Sequence, residues 1–522
     1  MPNATKACVS NRSFSPRRVR VGSAVLLLLL FAALGSVQAA PLSKEEQILV
    51  DRAIDAGVAF LKRSQGSNGG WAGPKQEHQL GYAVLPGLAL LECGVPANSP
   101  AIRRVAILVR RASGSLVATY ELSLCILFLD RLGDPKDREL IQTLAARLIA
   151  GQAETGGWTY ACPLVTKKTR DEMLTLLRKL DPPEAMEAVA RAERDPLADT
   201  PARPATSDSP SNDTRSPKPP LQGTITGKPP ATPKGGVFEL PDPPETKKPV
   251  PTSEKPAKPE VKEKPVVVPR HLKTLPVFRK ELELPRGPAR GRGKGDAPIV
   301  TDNSNTQFAI LGLWTAQRYD VPARRSMQLM VRRFESSQNN DGSWSYRYRS
   351  GGRKEGEPAM TCVGLLGLAV GSGIARQPRD EGQAKPALNP RIVDGLSALR
   401  KNVGKATGTW RNLPMENTYY LWSLERVGVL YGLPAIGDRD WYRWGAEILV
   451  ANQQPRGFWI STDYPGSSPT IDTCMALLFL KRANFTADLS KKLNIKPEEL
   501  NATIIRTKPS QSPGESMNEE KP

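Results

Sequence analysis

The sequence predicts an all-α protein, an α6/α6 toroid in which six helical hairpins close into a ring interrupted by a long disordered insertion. Three observations carry that expectation. The pattern Gln-x-x-x-Gly-x-Trp occurs four times, as Gln65/Gly69/Trp71, Gln152/Gly156/Trp158, Gln338/Gly342/Trp344 and Gln453/Gly457/Trp459, and a fixed pattern recurring at helix ends marks a repeat architecture. Each copy closes an amphipathic stretch such as Ile54-Val58-Leu61 or Ala446-Leu449-Val450, whose apolar residues recur at helical spacing before a Gly stops the helix. Amphipathic stretches alternate with stretches apolar on every side; the first kind belongs outside and the second inside, so six such pairs close a ring.

Taken in order, residues 1–39 read as an export signal: Arg17-Arg18-Val19-Arg20, an apolar run from Ala24 to Leu34, and the small-residue exit Ser36-Val37-Gln38-Ala39. About eleven apolar residues are too few to span a bilayer. An exported, periplasmic or extracellular protein with no later membrane segment is therefore expected. Residues 40–160 form the first part of the ring and 301–483 the second. Outer helices are expected near Glu45–Ser64, Ala101–Ala112, Arg138–Gly151, Ala323–Ser337, Arg391–Val403 and Trp441–Asn452. Five inner partners share a phase that begins with Thr119, Thr306, Thr361, Thr418 and Thr473, and the first inner helix fits with Gly81 in the Thr place. The second pair lacks the Gln/Trp pattern, and the fifth keeps only Gly408-Thr409-Trp410.

Residues 161–300 are expected to be a mostly disordered insertion. A short charged helix near Asp171–Arg194 comes first, followed by Pro, Lys, Thr and Ser with almost no aromatics, a composition that buries too little apolar surface to offset the entropy of ordering. Residues 484–522 read as a flexible tail. The chain carries a formal charge of +20, much of it in the insertion. Clustered Lys and Arg without aromatic interleaving attract an anionic envelope surface but give bases nothing to stack on, which argues against nucleic acid. Beyond the export signal stand Cys93, Cys125, Cys162, Cys362 and Cys474, an odd number without short pair spacings, so no disulfide framework is expected.

The four Gln/Trp copies resemble those of the terpenoid cyclase and protein prenyltransferase superfamily, where such a motif ties outer helices to the inner ring of an α/α toroid. The resemblance covers the helical parts and implies the fold; one fold hosts several chemistries, so function has to come from a site. The Gln and Trp side chains themselves are expected to be packing and hydrogen-bonding groups.

In such a ring the residues just before each phase-marking Thr surround one mouth: Glu77-His78, Asp302-Asn303-Ser304-Asn305, Glu357, Glu416-Asn417 and Asp472. Their plainest role is to cap the inner helices. Ile471-Asp472-Thr473-Cys474-Met475-Ala476 is similar to the Asp-x-Asp-Asp-Thr-Ala acid motif of class II terpene cyclases. Asp472 matches the last Asp, but Ile471 stands in the proton-donating place and Pro469 in the first. The same segment resembles the Asp-x-Cys zinc pair of prenyltransferase β subunits, which implies a zinc site of His78, Asp472 and Cys474; His78 lies about one helical turn earlier than the family's histidine. Asp472 is thus a candidate cap, general acid or zinc ligand. The inner helices also offer Tyr82, Tyr120, Phe308, Trp314, Tyr419, Tyr420 and Trp422 as a cavity wall, faces that in cyclases stabilise cations. The sequence holds no Gly-rich phosphate loop and no Cys-Gly-Glu-Gln thioester run. The expectation is a protein that binds an apolar or extended ligand in its centre. A cyclase-like or prenyltransferase-like enzyme centred on Asp472, and an envelope scaffold using the basic insertion, are the alternatives.

Overall fold

A computed structural model describes residues 41–73, 78–180, 266–282, 284, 300–348, 356–375, 389–406, 408–410, 413–461, 464–493 and 495–506. The expected export signal, the bulk of the basic insertion and the end of the tail lie outside the described residues. What is described is almost wholly helical: α1 (Lys44–Ser64), α2 (Gly81–Glu92), α3 (Pro100–Ala112), α4 (Thr119–Leu132), α5 (Arg138–Gly151), α6 (Lys167–Leu180), α7 (Asn303–Ala316), α8 (Arg324–Ser337), α9 (Pro358–Ala375), α10 (Pro390–Arg400), α11 (Thr418–Leu430), α12 (Trp441–Asn452), α13 (Pro469–Lys481), α14 (Ala487–Leu493) and α15 (Pro497–Arg506). One short hairpin, β1 (Gly408–Trp410) with β2 (Leu413–Met415), stands where the fifth repeat has lost its Gln.

Local chemistry sets the helix starts. Ser43 and Glu46 form a reciprocal capping box on α1, Ser99 caps α3 with Pro100 in its first turn, and Asn417 caps α11. Six helices form the centre. α2 packs on α4, α4 on α7, α7 on α9, α9 on α11, α11 on α13, and α13 back on α2. Every residue of α7 from Asn303 to Ala316 is buried, which is why it lacks a polar stripe. The amphipathic helices lie outside this set: α1 against α2 and α13, α3 against α2, α5 against α4 and α7, α8 and α10 against α9, α12 against α11 and α13.

The four Gln/Trp copies share one hydrogen-bonding plan. In each, the Gln amide donates to the carbonyl of its own Gly (Gln65 to Gly69 3.0 Å, Gln152 to Gly156 2.9 Å, Gln338 to Gly342 3.0 Å, Gln453 to Gly457 3.1 Å). It also reaches a carbonyl of another outer helix: Ala101, Ser326, Arg391 and Ala53 respectively. Each Trp indole N–H donates to a carbonyl ten residues back, as Trp344 does to Phe334 at 2.9 Å. The Gly must turn left-handed for this, and Gly457 (φ 84°) also lets the backbone approach closely: a Cβ there would lie 2.3 Å from the Ala56 carbonyl. Three of the phase-marking threonines have a definite task. Thr306, Thr361 and Thr473 accept the backbone N–H of Trp158, Trp344 and Trp459 and donate to the carbonyl four residues earlier.

Two expectations about the less regular segments need correction. Within 161–300, the expected charged helix starts earlier, as α6 from Lys167, and packs on α5, and residues 266–282 bury Leu272, Val277, Phe278 and Leu282. Arg325 pins that stretch to α8 through the Val277 (2.7 Å) and Arg279 (2.6 Å) carbonyls. The four apolar side chains sit too far apart in a proline-rich context to show a period. The tail also forms helices at Ala487–Leu493 and Pro497–Arg506. α14 packs against α9 and α11, with Asp488 accepting from the Trp314 indole at 2.6 Å, and Asn501 of α15 exchanges hydrogen bonds with the Gly437 backbone. Among the described residues no helix is long and apolar enough to cross a membrane, and the five cysteines there are free thiols.

Candidate functional site

The first turns of α4, α7, α11 and α13 come together, and the last three are each held by a different side-chain cap. Asp302 caps α7, taking the Asn305 backbone N–H at 2.8 Å on one oxygen and the Asn305 amide at 2.8 Å on the other. Asn417 accepts from Tyr419 and Tyr420 at the start of α11. α2 has no side-chain cap of its own; Glu121 of α4 takes the Gly81 N–H instead, at 2.8 Å, and burial raises its carboxyl above the ordinary range. His78 lies beside Glu121.

Asp472 is not a cap. Ser468 caps α13, its hydroxyl accepting from Ile471 at 3.3 Å, and Asp472 stands one turn further in. Its carboxylate is fully buried and takes four donors. Thr418 Oγ1 (2.6 Å) and the Tyr464 hydroxyl (2.5 Å) meet Oδ1; the Ser461 N–H (2.9 Å) and the Ser467 hydroxyl (2.7 Å) meet Oδ2. Burial raises its pKa while these donors pull it back down. A carboxylate with two donors on each oxygen is an anionic anchor, fastening Ser461, Tyr464, Ser467 and α13 to the start of α11.

The expected zinc set is not assembled. Asp472 has its acceptor positions filled by donors, Cys474 is completely buried with its thiol pushed up by burial, and His78 lies beside Glu121. Among the described residues no group of three or more His, Cys, Asp and Glu could hold a metal ion.

Four of the proposed wall residues form one aromatic cluster. Tyr120 packs edge-on to Phe308 (centroids 4.9 Å), Phe308 stacks on Trp422 (5.2 Å), and Trp422 meets Tyr419 (5.9 Å). Tyr160, Tyr346 and Tyr464 extend it: Tyr160 meets Tyr120 (6.2 Å) and shares a hydroxyl contact of 2.9 Å with Tyr346, and Tyr464 meets Tyr419 (5.9 Å). Hydroxyls run along the belt. Ser304 lies 2.5 Å from the Tyr120 hydroxyl and 3.1 Å from that of Tyr346, and Tyr419 donates to Gln307 at 2.7 Å. Burial pushes the Tyr120, Tyr419 and Tyr464 phenols up, so they remain protonated donors.

The other wall candidates go elsewhere. Tyr82 is buried on α2, close beneath Gly73. Tyr420 faces Trp444 on the outer side of α11, and Trp314 sits at the far end of α7 against α14. Tyr160, Tyr346 and Tyr464 were missed because they lie in loops. A signal existed for two of them, since both follow the motif at the same distance in Gly-x-Trp-x-Tyr, as Trp158-Thr159-Tyr160 and Trp344-Ser345-Tyr346.

Compared with protein-family models, with curated proteins and with solved structures, the chain finds no match.

Proposed function

We propose that this chain is an exported α6/α6 toroid of the terpenoid-cyclase and prenyltransferase-repeat type that binds an extended ligand at the mouth formed by the N-terminal ends of its inner helices. The cyclic packing of the six central helices supports the toroid. The aromatic belt carries the binding reading: rings from α4, α7, α11 and three loops converge on one face, and ligand sites combine such ring surface with a few placed polar groups. The C-terminal ends of α7 and α11 are engaged by the tail, where Arg318 and Arg426 hydrogen-bond the Phe485 and Ala483 carbonyls. That leaves the belt end as the route of access. The four donors on Asp472 favour binding over acid catalysis, because a general acid must hold a proton it can release to substrate.

Native mass spectrometry of residues 40–522 purified from the protein's own cells tests the reading. A discrete non-covalent adduct is expected on the wild type and is lost in Tyr419→Ala. An adduct that persists in that variant, or a wild type carrying none, would overturn it.

A further inference from the structure

Resting on that reading of the belt as the binding surface, we infer that its ligand is an uncharged oligosaccharide rather than a hydrocarbon. The belt is sorted by chemistry. Its rings without a hydroxyl are hidden: Phe308 is 3 % exposed, and Trp422, whose indole N–H is also inside, is 1 % exposed. Every ring that reaches solvent is a tyrosine: Tyr160 is 58 % exposed, and Tyr120, Tyr346, Tyr419 and Tyr464 are partly exposed. A ligand arriving at this surface therefore meets ring faces edged with hydroxyls. Each hydroxyl can donate or accept, and those of Tyr160, Tyr346, Ser304 and Tyr120 already form a relay with contacts of 2.9, 3.1 and 2.5 Å.

A hydrocarbon offers these hydroxyls nothing, whereas each, besides the protein contact it already makes, keeps a lone pair able to accept a further hydrogen bond. A pyranose offers both halves of the match, apolar C–H faces for the rings and equatorial hydroxyls for the phenols. The charged groups packed on the belt are buried beneath it. Asp302 is held by Asn305 and Ser304, Asp472 by its four donors, and Arg333 donates through Nε to Asn303 (3.0 Å) and through Nη1 to Thr301 (2.8 Å), its Nη2 alone lacking a partner. With these charges out of a ligand's reach, a neutral ligand is favoured. The tyrosines fall into two groups, Tyr120/Tyr160/Tyr346 and Tyr419/Tyr464, bridged by Phe308 and Trp422. Two platforms ask for more than one sugar unit.

Isothermal titration of residues 40–522 with neutral hexasaccharides of glucose and of N-acetylglucosamine, with the corresponding monosaccharides, and with farnesol in detergent decides the matter. A hexasaccharide should bind more tightly than its monosaccharide. Tyr160→Phe and Tyr346→Phe, which keep the ring and remove the hydroxyl, should each weaken binding about fivefold, the value of one net hydrogen bond, and Tyr160→Ala should weaken it further. Tyr160 is mostly exposed, so its variants test binding without endangering the fold. Farnesol binding that the Phe variants leave unchanged, with no sugar bound, would overturn the oligosaccharide inference while leaving the binding reading intact. Sugar binding indifferent to all three variants would also overturn it. No binding of either probe would remove both.

Discussion

Replacing Asp472 separates an anchor from a cap, because the two roles answer differently to Asn and Ala. In Asp472→Ala the Ser461 N–H and the Thr418 hydroxyl are left in a site where both residues are 2 % exposed or less. A buried donor left without a partner costs about 1–3 kcal/mol; the Thr418 hydroxyl keeps Tyr464 at 3.3 Å, so the Ser461 N–H carries that cost and the lost Thr418 bond adds about 1 kcal/mol. Tyr464 and Ser467 are only partly buried and can turn to water. In Asp472→Asn the carbonyl oxygen keeps the Ser461 N–H, and the amide can face the Thr418 and Tyr464 hydroxyls, which are able to accept. The loss is then about 1–2 kcal/mol, mainly from the charge assistance. Ser468→Ala, which removes the actual cap of α13, should cost about 1 kcal/mol. Urea melts followed by far-ultraviolet circular dichroism give all three values. If Asp472→Asn were neutral and Asp472→Ala cost no more than Ser468→Ala, Asp472 would be behaving as a cap and the anchor assignment would be wrong.

Trp344 is completely buried, so Trp344→Ala should destabilise by about 3–5 kcal/mol; a wild-type melting curve would show that the repeat does not rest on this side chain. Gly457→Ala puts a Cβ against the Ala56 carbonyl at a left-handed φ of 84° and should lower the melting temperature more than Gly133→Ala, where a Cβ meets nothing within 4 Å; equal losses would mean that the α12–α1 contact yields easily. Glu425 is fully buried and hydrogen-bonds Arg426, with burial pushing its carboxyl up to about 8 against the pull of that arginine. The unfolded chain releases this proton first as pH rises, so the contribution to stability is full below about 4.5 and declines up to about 8. Melting temperature should fall across that window in the wild type and less in Glu425→Gln, and identical pH profiles would exclude it.

The twelve repeat helices and their order were written in the sequence. A repeated Gln-x-x-x-Gly-x-Trp is a local signal, because the Gln, the left-handed Gly and the Trp that hydrogen-bonds ten residues back all act within one helix end. The contrast between amphipathic α12 and the wholly buried α7 is likewise visible in hydropathy alone. The site was legible only in part. Tyr120, Phe308, Tyr419 and Trp422 could be picked out because they share the inner-helix phase, yet the same phase also offered Tyr82, Tyr420 and Trp314, which point at other neighbours. Asp472 read as a cap because it stands at a helix start. Its true partners, Thr418, Ser461, Tyr464 and Ser467, come from another helix and a loop, and the hydrogen bonds that fix its role span up to 54 residues.

Tertiary packing alone decided which aromatic rings share a surface, that Glu121 caps a helix 40 residues away, that His78 and Cys474 do not join Asp472, and that residues 266–282, 487–493 and 497–506 fold onto the helices. Backbone hydrogen bonding within a helix follows from residues three or four apart and leaves a periodic trace in the sequence. A side-chain contact between two helices follows from their distance and rotation in space, which no short-range pattern encodes.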